Sequence, residues 1–573
     1  MNHGIIITGG NVNVPVGMSG RPIPIRGTGA HRIASHMRGT GEGDIEVVDY
    51  TEAWSIPHLK QFIESRVSSK TKFVACSTFF TFSVSKEEPV IVPRVVEKQN
   101  AIMKFVKQKY PHITTLVGGS KLVNLLHHEC DYHVVGQGEH AMVALCDHLI
   151  GKNLVAPKVK VVRNPYNFIF KAYDREYRII DAKRDYPAFP LRHAKTLYEE
   201  RDFIQPDEVL TTELARGCKF KCTFCDYDPL GVKGDQTRDA QDFREELIDN
   251  YERWGVTKYL LTDETSNDST SKIKKFAEVA KSLPFQPQFH GFVRADLLTS
   301  RKDADWDNML DMGFTSMGMG VESFNHASGK SIKKGMDPLR IKEGLLESEE
   351  YFRANVRDGN HYAANLTMIA GLPHETYDTL DETERWLNKY WKNQVGMNAL
   401  YISEFANKDP NGFDAVSEFE KDPGKYGYTF RNKTFEDKIT ETYYWLLWDA
   451  KSPIPENPSM LEMRNYLDPD YVSSLLKQAL SNAHNYDRAW VHPSDDYDWI
   501  DMVEWSARFH SNRVKQLNRP EGQSGWNMGW YNQLGYDLRD VYSGNPPIVT
   551  ENDFGNYQRY IRDYIIKKLD FAR

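Results

Sequence analysis

Glu213–Asp228 reads ELARGCKFKCTFCDYD and places Cys218, Cys222 and Cys225 within eight residues, half of the six cysteines in a chain of 573. Three is an awkward number for disulfides, which consume thiols in pairs, and for a closed structural zinc site, which takes four ligands. The spacing Cys-x3-Cys-x2-Cys follows a β-rich run, VLTTELARG, and leads into a glycine-bearing loop. Three thiolates on one loop can each bind an iron of a [4Fe–4S] cube, leaving the fourth iron open to a small molecule. A zinc ion completed by a nearby His or Asp is the competing reading of these three residues.

Composition limits the rest. A chain of this length exceeds what one core organises, so two to four domains are expected. Lys and Arg number 72 against 80 Asp and Glu, a net charge of −8, which does not favour nucleic acid as a partner. The start, MNHGIIITGGNVNV, lacks the basic and apolar regions of a secretion signal. No apolar run reaches the roughly 18 residues of a membrane span. Few cysteines in a long chain suit a reducing compartment, so a cytoplasmic protein is expected.

Strand and helix patterns alternate through most of the chain. Residues 1–150 carry GIIITGG, GDIEVVDY, KFVACSTFF, ITTLVGGS and YHVVGQGEH as buried strands between helical stretches, which predicts a doubly wound, Rossmann-like parallel sheet. Residues 151–205, with NP and DR turns and two later prolines, read as a connector bearing a β-hairpin. From 206 to 410, six βα-type units predict a partial (β/α)6 TIM-type barrel, with functional residues at the strands' C-terminal ends. Residues 411–573 are rich in Trp and Tyr at helical spacings and predict a mainly helical C-terminal domain.

GCKFKCTFC, with Phe224 directly before the third cysteine, resembles the radical S-adenosylmethionine (radical SAM) superfamily. The resemblance implies that Cys218, Cys222 and Cys225 hold a [4Fe–4S] cluster whose fourth iron is chelated by SAM. It also implies reductive cleavage of SAM to methionine and a 5′-deoxyadenosyl radical that abstracts hydrogen from a substrate. YLLTDETSND is similar to the family's second-strand motif, which implies contact of Asp263 and Glu264 with the SAM amino group. FHGFVRADLL resembles the third strand, with Arg294 meeting the SAM carboxylate or the substrate. MGMGVESFNHASGKSIKKG looks like the G-x-E-S segment, which brings Gly320, Glu322 and Ser323 to the ribose or amino group. MIAGLPHET is similar to G-L-P-x-E-T, whose backbone, here around Ile369 and Gly371, lies against adenine. The family further implies an electron donor such as flavodoxin or ferredoxin.

AHRIASHMRG, EVVDY, LVGGSKL and DYHVVGQGEHA resemble the cobalamin-binding-type domain that precedes many radical SAM domains, with glycine turns letting backbone approach the corrin. The Asp-x-His-x-x-Gly cobalt-ligand signature is absent, so the resemblance implies the domain and leaves cobalamin itself open. C–H functionalisation is the expected reaction, as methyl transfer if cobalamin binds. Methylthiolation of tRNA or protein and a non-catalytic iron–sulfur or zinc scaffold are the alternatives. Cys76 and Cys146 stand in apolar runs and are expected as buried small hydrophobes, and Cys130 as structural. His31 and His36 are expected in surface or packing roles, Lys333 and Lys334 in a solvated turn. Tyr443, Tyr444, Trp445 and Trp448 are expected in a core or domain interface.

Overall fold

Ile5 and Ile7 enter one hydrophobic core and Ile6 another, so the unbroken apolar run of the first strand is the signature of a sheet covered on both faces. The computed structural model of the chain describes residues 3–8, 26–41, 43–51, 54–78, 94–153, 155–166, 173–191, 194–206, 208–225, 236–335, 337–356, 362–402, 411–414, 416–434, 437, 440–441, 488–516 and 551–571. The aromatic run from Tyr443 to Trp448, the helix expected at 469–484 and the glycine loop after Cys225 lie outside the described residues.

Seven strands form the first sheet, in the order β2 (Ile45–Val48), β1 (Gly4–Thr8), β3 (Phe73–Ser77), β4 (Thr114–Gly119), β5 (Tyr132–Val135), β7 (Glu176–Asp181) and β6 (Lys160–Arg163). The order 2-1-3-4-5 with parallel pairing is the doubly wound arrangement. Helices α1 (Thr28–Gly39) and α4 (Gly138–Leu149) cover one face, while α2 (Ile56–Arg66) and α3 (Arg94–Lys109) cover the other. The hairpin anticipated in the connector is present as antiparallel β6–β7, and it extends this sheet, β7 running parallel to β5. The residues of β7 that do so are apolar on both faces: Tyr177 and Ile179 enter one core, Ile180 the other.

Six parallel strands form the second sheet in sequential order, β8 (Val209–Thr212), β11 (Lys258–Leu261), β12 (Gln288–Arg294), β13 (Phe314–Glu322), β14 (Ala363–Ala370) and β15 (Gln394–Ala399). This is an open (β/α)6 barrel. A short ribbon, β9 (Ala215–Arg216) with β10 (Gln236–Thr237), brackets the base of the cysteine loop. The outer helices are α5 (Ala240–Trp254), α6 (Thr270–Lys281), α7 (Ala295–Ser300), α8 (Lys302–Met312), α9 (His326–Ser331), α10 (Pro338–Asn355) and α11 (Tyr377–Tyr390). Their starts are written locally: Asp239, Ser269, Asp337 and Thr376 each accept backbone N–H groups of the first turn. The strand expected across FHGFVRADLL ends at Arg294, because Ala295 begins α7.

An open barrel has two free edges, and both are covered. At β8, the Thr28 hydroxyl at the start of α1 donates to Thr211 Oγ1 at 2.6 Å. At β15, helix α13 (Trp499–Gln516) brings His510 Nε2 within 3.0 Å of Met397 O, and Arg513 donates to the carbonyls of Trp391 and Asn393. The C-terminal part has no core of its own among the described residues. Its short helix α12 (Glu418–Lys421), the antiparallel ribbon β16 (Thr429–Asn432) and β17 (Arg488–Val491), and α13 join the barrel core, whereas α14 (Glu551–Asp570) packs on the first sheet through Ile561 and Tyr564. The described elements are mainly helical, as expected, and their apolar faces match two separate surfaces. Among the described residues no helix is long and apolar enough to cross a membrane.

Buried ions tie the two sheets together. Arg26 is fully buried, pairs with Asp49 at 2.9 Å and with Glu208 ahead of β8, and lies against the rings of Tyr50 and Tyr564. His31 also bonds Asp49, at 2.8 Å. Arg26→Met strands two buried carboxylates without their guanidinium, and the expected loss is about 3–5 kcal/mol of apparent stability by chemical denaturation.

Candidate functional site

Five strand ends of the barrel carry the residues singled out from sequence. After β8, the main chain turns through Gly217 at φ 97° into Cys218, Cys222 and Cys225, none of them in a disulfide. The loop is held from three sides. The Thr223 carbonyl accepts from Glu418 N at 2.9 Å, and the Thr223 hydroxyl donates to Ser331 O at 3.0 Å. Cys218 Sγ lies 3.8 Å from Thr265 Oγ1, and Arg294 Nη1 donates to Cys222 Sγ at 3.2 Å. Among the described residues, no three His, Cys, Asp or Glu side chains converge on one point as a mononuclear metal site requires. Cys218, Cys222 and Cys225 offer three thiols from one loop, the donor set that suits a four-iron cube with one open iron.

Below the loop lies a buried ionic network. Glu213 receives Arg216 at 2.8 Å and lies 2.6 Å from Arg32 of α1. Arg216 also meets Glu139 at the start of α4, at 2.7 Å. Arg238 pairs with Asp242 at 2.6 Å and Glu246 at 2.9 Å, and Glu246 in turn accepts from the Thr212 hydroxyl and from Thr196 N. Burial alone would raise the Glu213 carboxyl, but Arg216 and Arg32 hold it down at about 2. The ends of β5 and β8 thereby face each other. A second tie is Asp414, beyond β15, which accepts Leu122 N at 2.6 Å and Val123 N at 3.1 Å beyond β4.

Asp263, just past β11, accepts Leu214 N at 2.9 Å on Oδ2, while its Oδ1 is buried without a hydrogen-bond partner. Burial pushes this carboxyl up to about 7, against the Lys272 ammonium. Glu264 lies next to it and raises it further.

The MGMG alternation of β13 has a packing reason. A Cβ on Gly318 would come within 2.8 Å of the Phe292 ring, and one on Gly320 within 2.8 Å of both Glu322 Oε1 and Lys334 Nζ. A register shift between Gly320 and Glu322 marks a bulge, and Glu322 adopts φ 70°, a conformation that few non-glycine residues take. Its carboxylate is buried and paired with Lys334 at 2.7 Å. Lys334 lies 5.8 Å from the Phe224 ring, linking β13 to the cysteine loop. The solvated turn expected there is therefore corrected for Lys334, whose side chain is only 8% exposed.

Ser323 and Gly371 meet at a residue that sequence reasoning did not single out. Ser323 donates to Glu375 Oε1 at 2.8 Å, and Gly371 N and Leu372 N donate to Oε2 at 2.9 and 3.0 Å. Burial lifts the Glu375 carboxyl to about 7 in spite of these three donors. Ile369, partly buried, stands near the end of β14 beside Asn398 of β15. The loop after it is gripped from outside by the C-terminal ribbon. Tyr428 donates to Gly371 O at 2.7 Å, Tyr497 to Glu375 O at 3.2 Å and Trp490 to Leu400 O at 2.8 Å, while His492 Nε2 lies 2.9 Å from Leu372 O. Gly371 has φ 93°, and a Cβ there would strike the Trp490 ring at 2.6 Å.

Other expectations resolve more simply. Cys76 and Cys146 are buried and belong to cores on opposite faces of the first sheet, so they cannot share a second cluster. His36 packs edge-on against Phe189 and His140. The glycines of the first sheet's edge are filled by the protein itself: Cβ atoms on Gly119, Gly136 and Gly138 would meet Thr78, Lys183 and Ile33.

Residues 212–387 match the model of the radical SAM superfamily. That stretch is similar to radical SAM domains, whose family uses a [4Fe–4S] cluster and SAM. Over 179 residues the chain is 26% identical to anaerobic magnesium-protoporphyrin IX monomethyl ester cyclase of Cereibacter sphaeroides. The match spans 31% of this chain and 28% of that relative. The fold is similar to that of the radical SAM methyltransferase TsrM from Kitasatospora setae, solved with cobalamin and a [4Fe–4S] cluster (TM-score 0.52, 12% identity, 75% of this chain and 81% of that one). It is also similar to the cobalamin-dependent SAM radical enzyme OxsB, solved with aqua-cobalamin and SAM (TM-score 0.51, 12% identity, 98% and 84%).

Two outcomes follow from the buried carboxylates. Lys334→Met leaves Glu322 buried and unpaired, and an expected loss of about 3 kcal/mol is measurable by denaturant unfolding. Glu375 has a folded-state pKa near 7, above its unfolded value of roughly 4.3, so its contribution to stability falls as pH rises between them and is constant above. Glu375→Gln keeps an oxygen for Gly371 N and Leu372 N, turns the Ser323 contact into one that the amide donates, and cannot ionise, so its melting temperature is expected to drop less than that of wild type between pH 5 and pH 8.

Proposed function

We propose that the chain is a radical SAM enzyme in which Cys218, Cys222 and Cys225 hold a [4Fe–4S] cluster and SAM is received across the ends of β11, β13 and β14. The carrying observation is the three-thiol loop fixed at the C-terminal end of the first barrel strand through the Thr223 carbonyl and hydroxyl. When bound, cluster and SAM supply a 5′-deoxyadenosyl radical on reduction. The chain's own residues bind and orient. The unpartnered Oδ1 of Asp263, with Glu264 beside it, accepts the SAM ammonium; Glu322, held at positive φ by its bulge, reaches the ribose; Ile369 and the Gly371 backbone lie along adenine. SAM lies under Phe224 and the Gly371 loop. Ser323 acts through Glu375, keeping the Gly371 turn closed.

Cobalamin-dependent methyl transfer to an unactivated carbon is the more specific reading. It is supported by the arrangement shared with OxsB over nearly the whole chain, and by the ends of β4 and β5 facing those of β15 and β8. A low-potential donor of the flavodoxin or ferredoxin kind supplies the electron, and a cytoplasmic location suits cysteines that form no disulfide.

The test is anaerobic cluster reconstitution, reduction in the presence of SAM, and assay of 5′-deoxyadenosine with and without hydroxocobalamin. Wild type is expected to form a four-iron cluster and release deoxyadenosine, and Cys222→Ala to lose both. A corrin spectrum retained through gel filtration supports the methyl-transfer reading. A cluster that never cleaves SAM refutes the enzyme reading, and retention of zinc alone refutes the cluster.

A further inference from the structure

We propose that Arg294 sets the reduction potential of the cluster by acting through the Cys222 sulfur, and that it does not bind SAM. This rests on the reading of the three thiols as cluster ligands. The arginine stands where a carboxylate-binding residue was expected, at the last position of β12, yet its guanidinium is committed elsewhere. Nε and Nη2, the pair that forms a fork for a ligand carboxylate, donate to Asp296 at 3.0 and 2.6 Å. Nη1 is directed at Cys222 Sγ, 3.2 Å away. The guanidinium plane lies over the Phe220 ring, 3.9 Å from its centroid, in the cysteine loop itself. The backbone at Arg294 is pinned as well, its N–H donating to Asn267 Oδ1 at 2.8 Å and its carbonyl accepting from Asn267 Nδ2 at 3.0 Å. Strand end, helix α7, the β11–α6 loop and the cysteine loop therefore all fix one orientation.

That orientation has an electrostatic consequence. Reduction adds one electron to a cluster whose charge is shared with its ligating sulfurs. An N–H donor bearing positive charge beside one of those sulfurs stabilises the reduced form more than the oxidised one, which raises the potential. Phe220 keeps water off one side of the guanidinium, so the interaction is less screened than at an open surface. Asp296 offsets part of the charge but lies on the guanidinium edge turned away from Cys222, leaving a dipole aimed at the sulfur. Asp263 and Glu322 remain for the polar groups of SAM, neither of them using Arg294.

The experiment compares reconstituted wild type, Arg294→Gln and Arg294→Lys by EPR-monitored redox titration without SAM, and by calorimetric SAM binding. Circular dichroism and iron content establish folding and loading. The Arg294→Gln cluster is expected at a lower midpoint potential than wild type, Arg294→Lys between them, with SAM affinity unchanged. An unchanged potential in Arg294→Gln, or lost SAM affinity at an unchanged potential, overturns the proposal and makes Arg294 a SAM contact. If Arg294→Gln does not load, Arg294→Lys decides: a downward shift supports the role and no shift refutes it. Failure of wild type itself to form a four-iron cluster overturns the reading of the cysteines instead.

Discussion

The ionic network under the cysteine loop is the constraint on which the rest depends. Glu213, Arg216, Arg32, Glu139, Arg238 and Glu246 come from both sheets and are buried or nearly so. Charges taken out of water are tolerated only when their partners are in place, so the network strongly favours one docking of the sheets and penalises slight displacements. The same groups satisfy backbone that would otherwise be orphaned: Glu246 accepts Thr196 N, and Asp242 accepts Ala194 N. Because Glu213 and Arg216 directly precede Cys218, whatever fixes the docking also fixes where the loop leaves the barrel.

A second set of contacts acts from the other side. Tyr428, Trp490, His492 and Tyr497 direct polar atoms at carbonyls of the segments following β14 and β15, and α12 directs its first N–H groups at Thr223. A barrel mouth built from loops alone would be mobile; here the loops are bonded to a ribbon with aromatic packing of its own, such as Trp490 against Tyr428 and Trp499. The described C-terminal elements thus serve as covers and clamps for two cores laid out by the two parallel sheets.

The order of strands and helices was legible because both sheets are parallel and buried on both faces, which writes apolar runs bounded by glycine and capping residues into the chain. The cysteine loop and the segments around Asp263, Glu322 and Gly371 were expected at barrel strand ends and stand there, because each is contiguous with the apolar run of its strand. Lys334 and Glu375 were read less well. Lys334 looks like one more lysine in a turn until Gly320 leaves room for it beside Glu322. Glu375 looks like a helix-start acid until Ser323, 52 positions earlier, donates to it.

By itself the sequence determined the fold class, the doubly wound sheet followed by a six-strand parallel barrel, since this follows from periodicity, and its cysteine triad carried the resemblance to radical SAM proteins. Tertiary structure alone decided which partner each buried charge takes, why particular glycines are glycines, and where the C-terminal elements pack. Gly371 yields to the Trp490 ring, Gly119 to Thr78, and the two long helices of the C-terminal part separate to different cores. Burial removes water as the alternative partner, so each of these choices is set by whichever distant residue arrives to replace it.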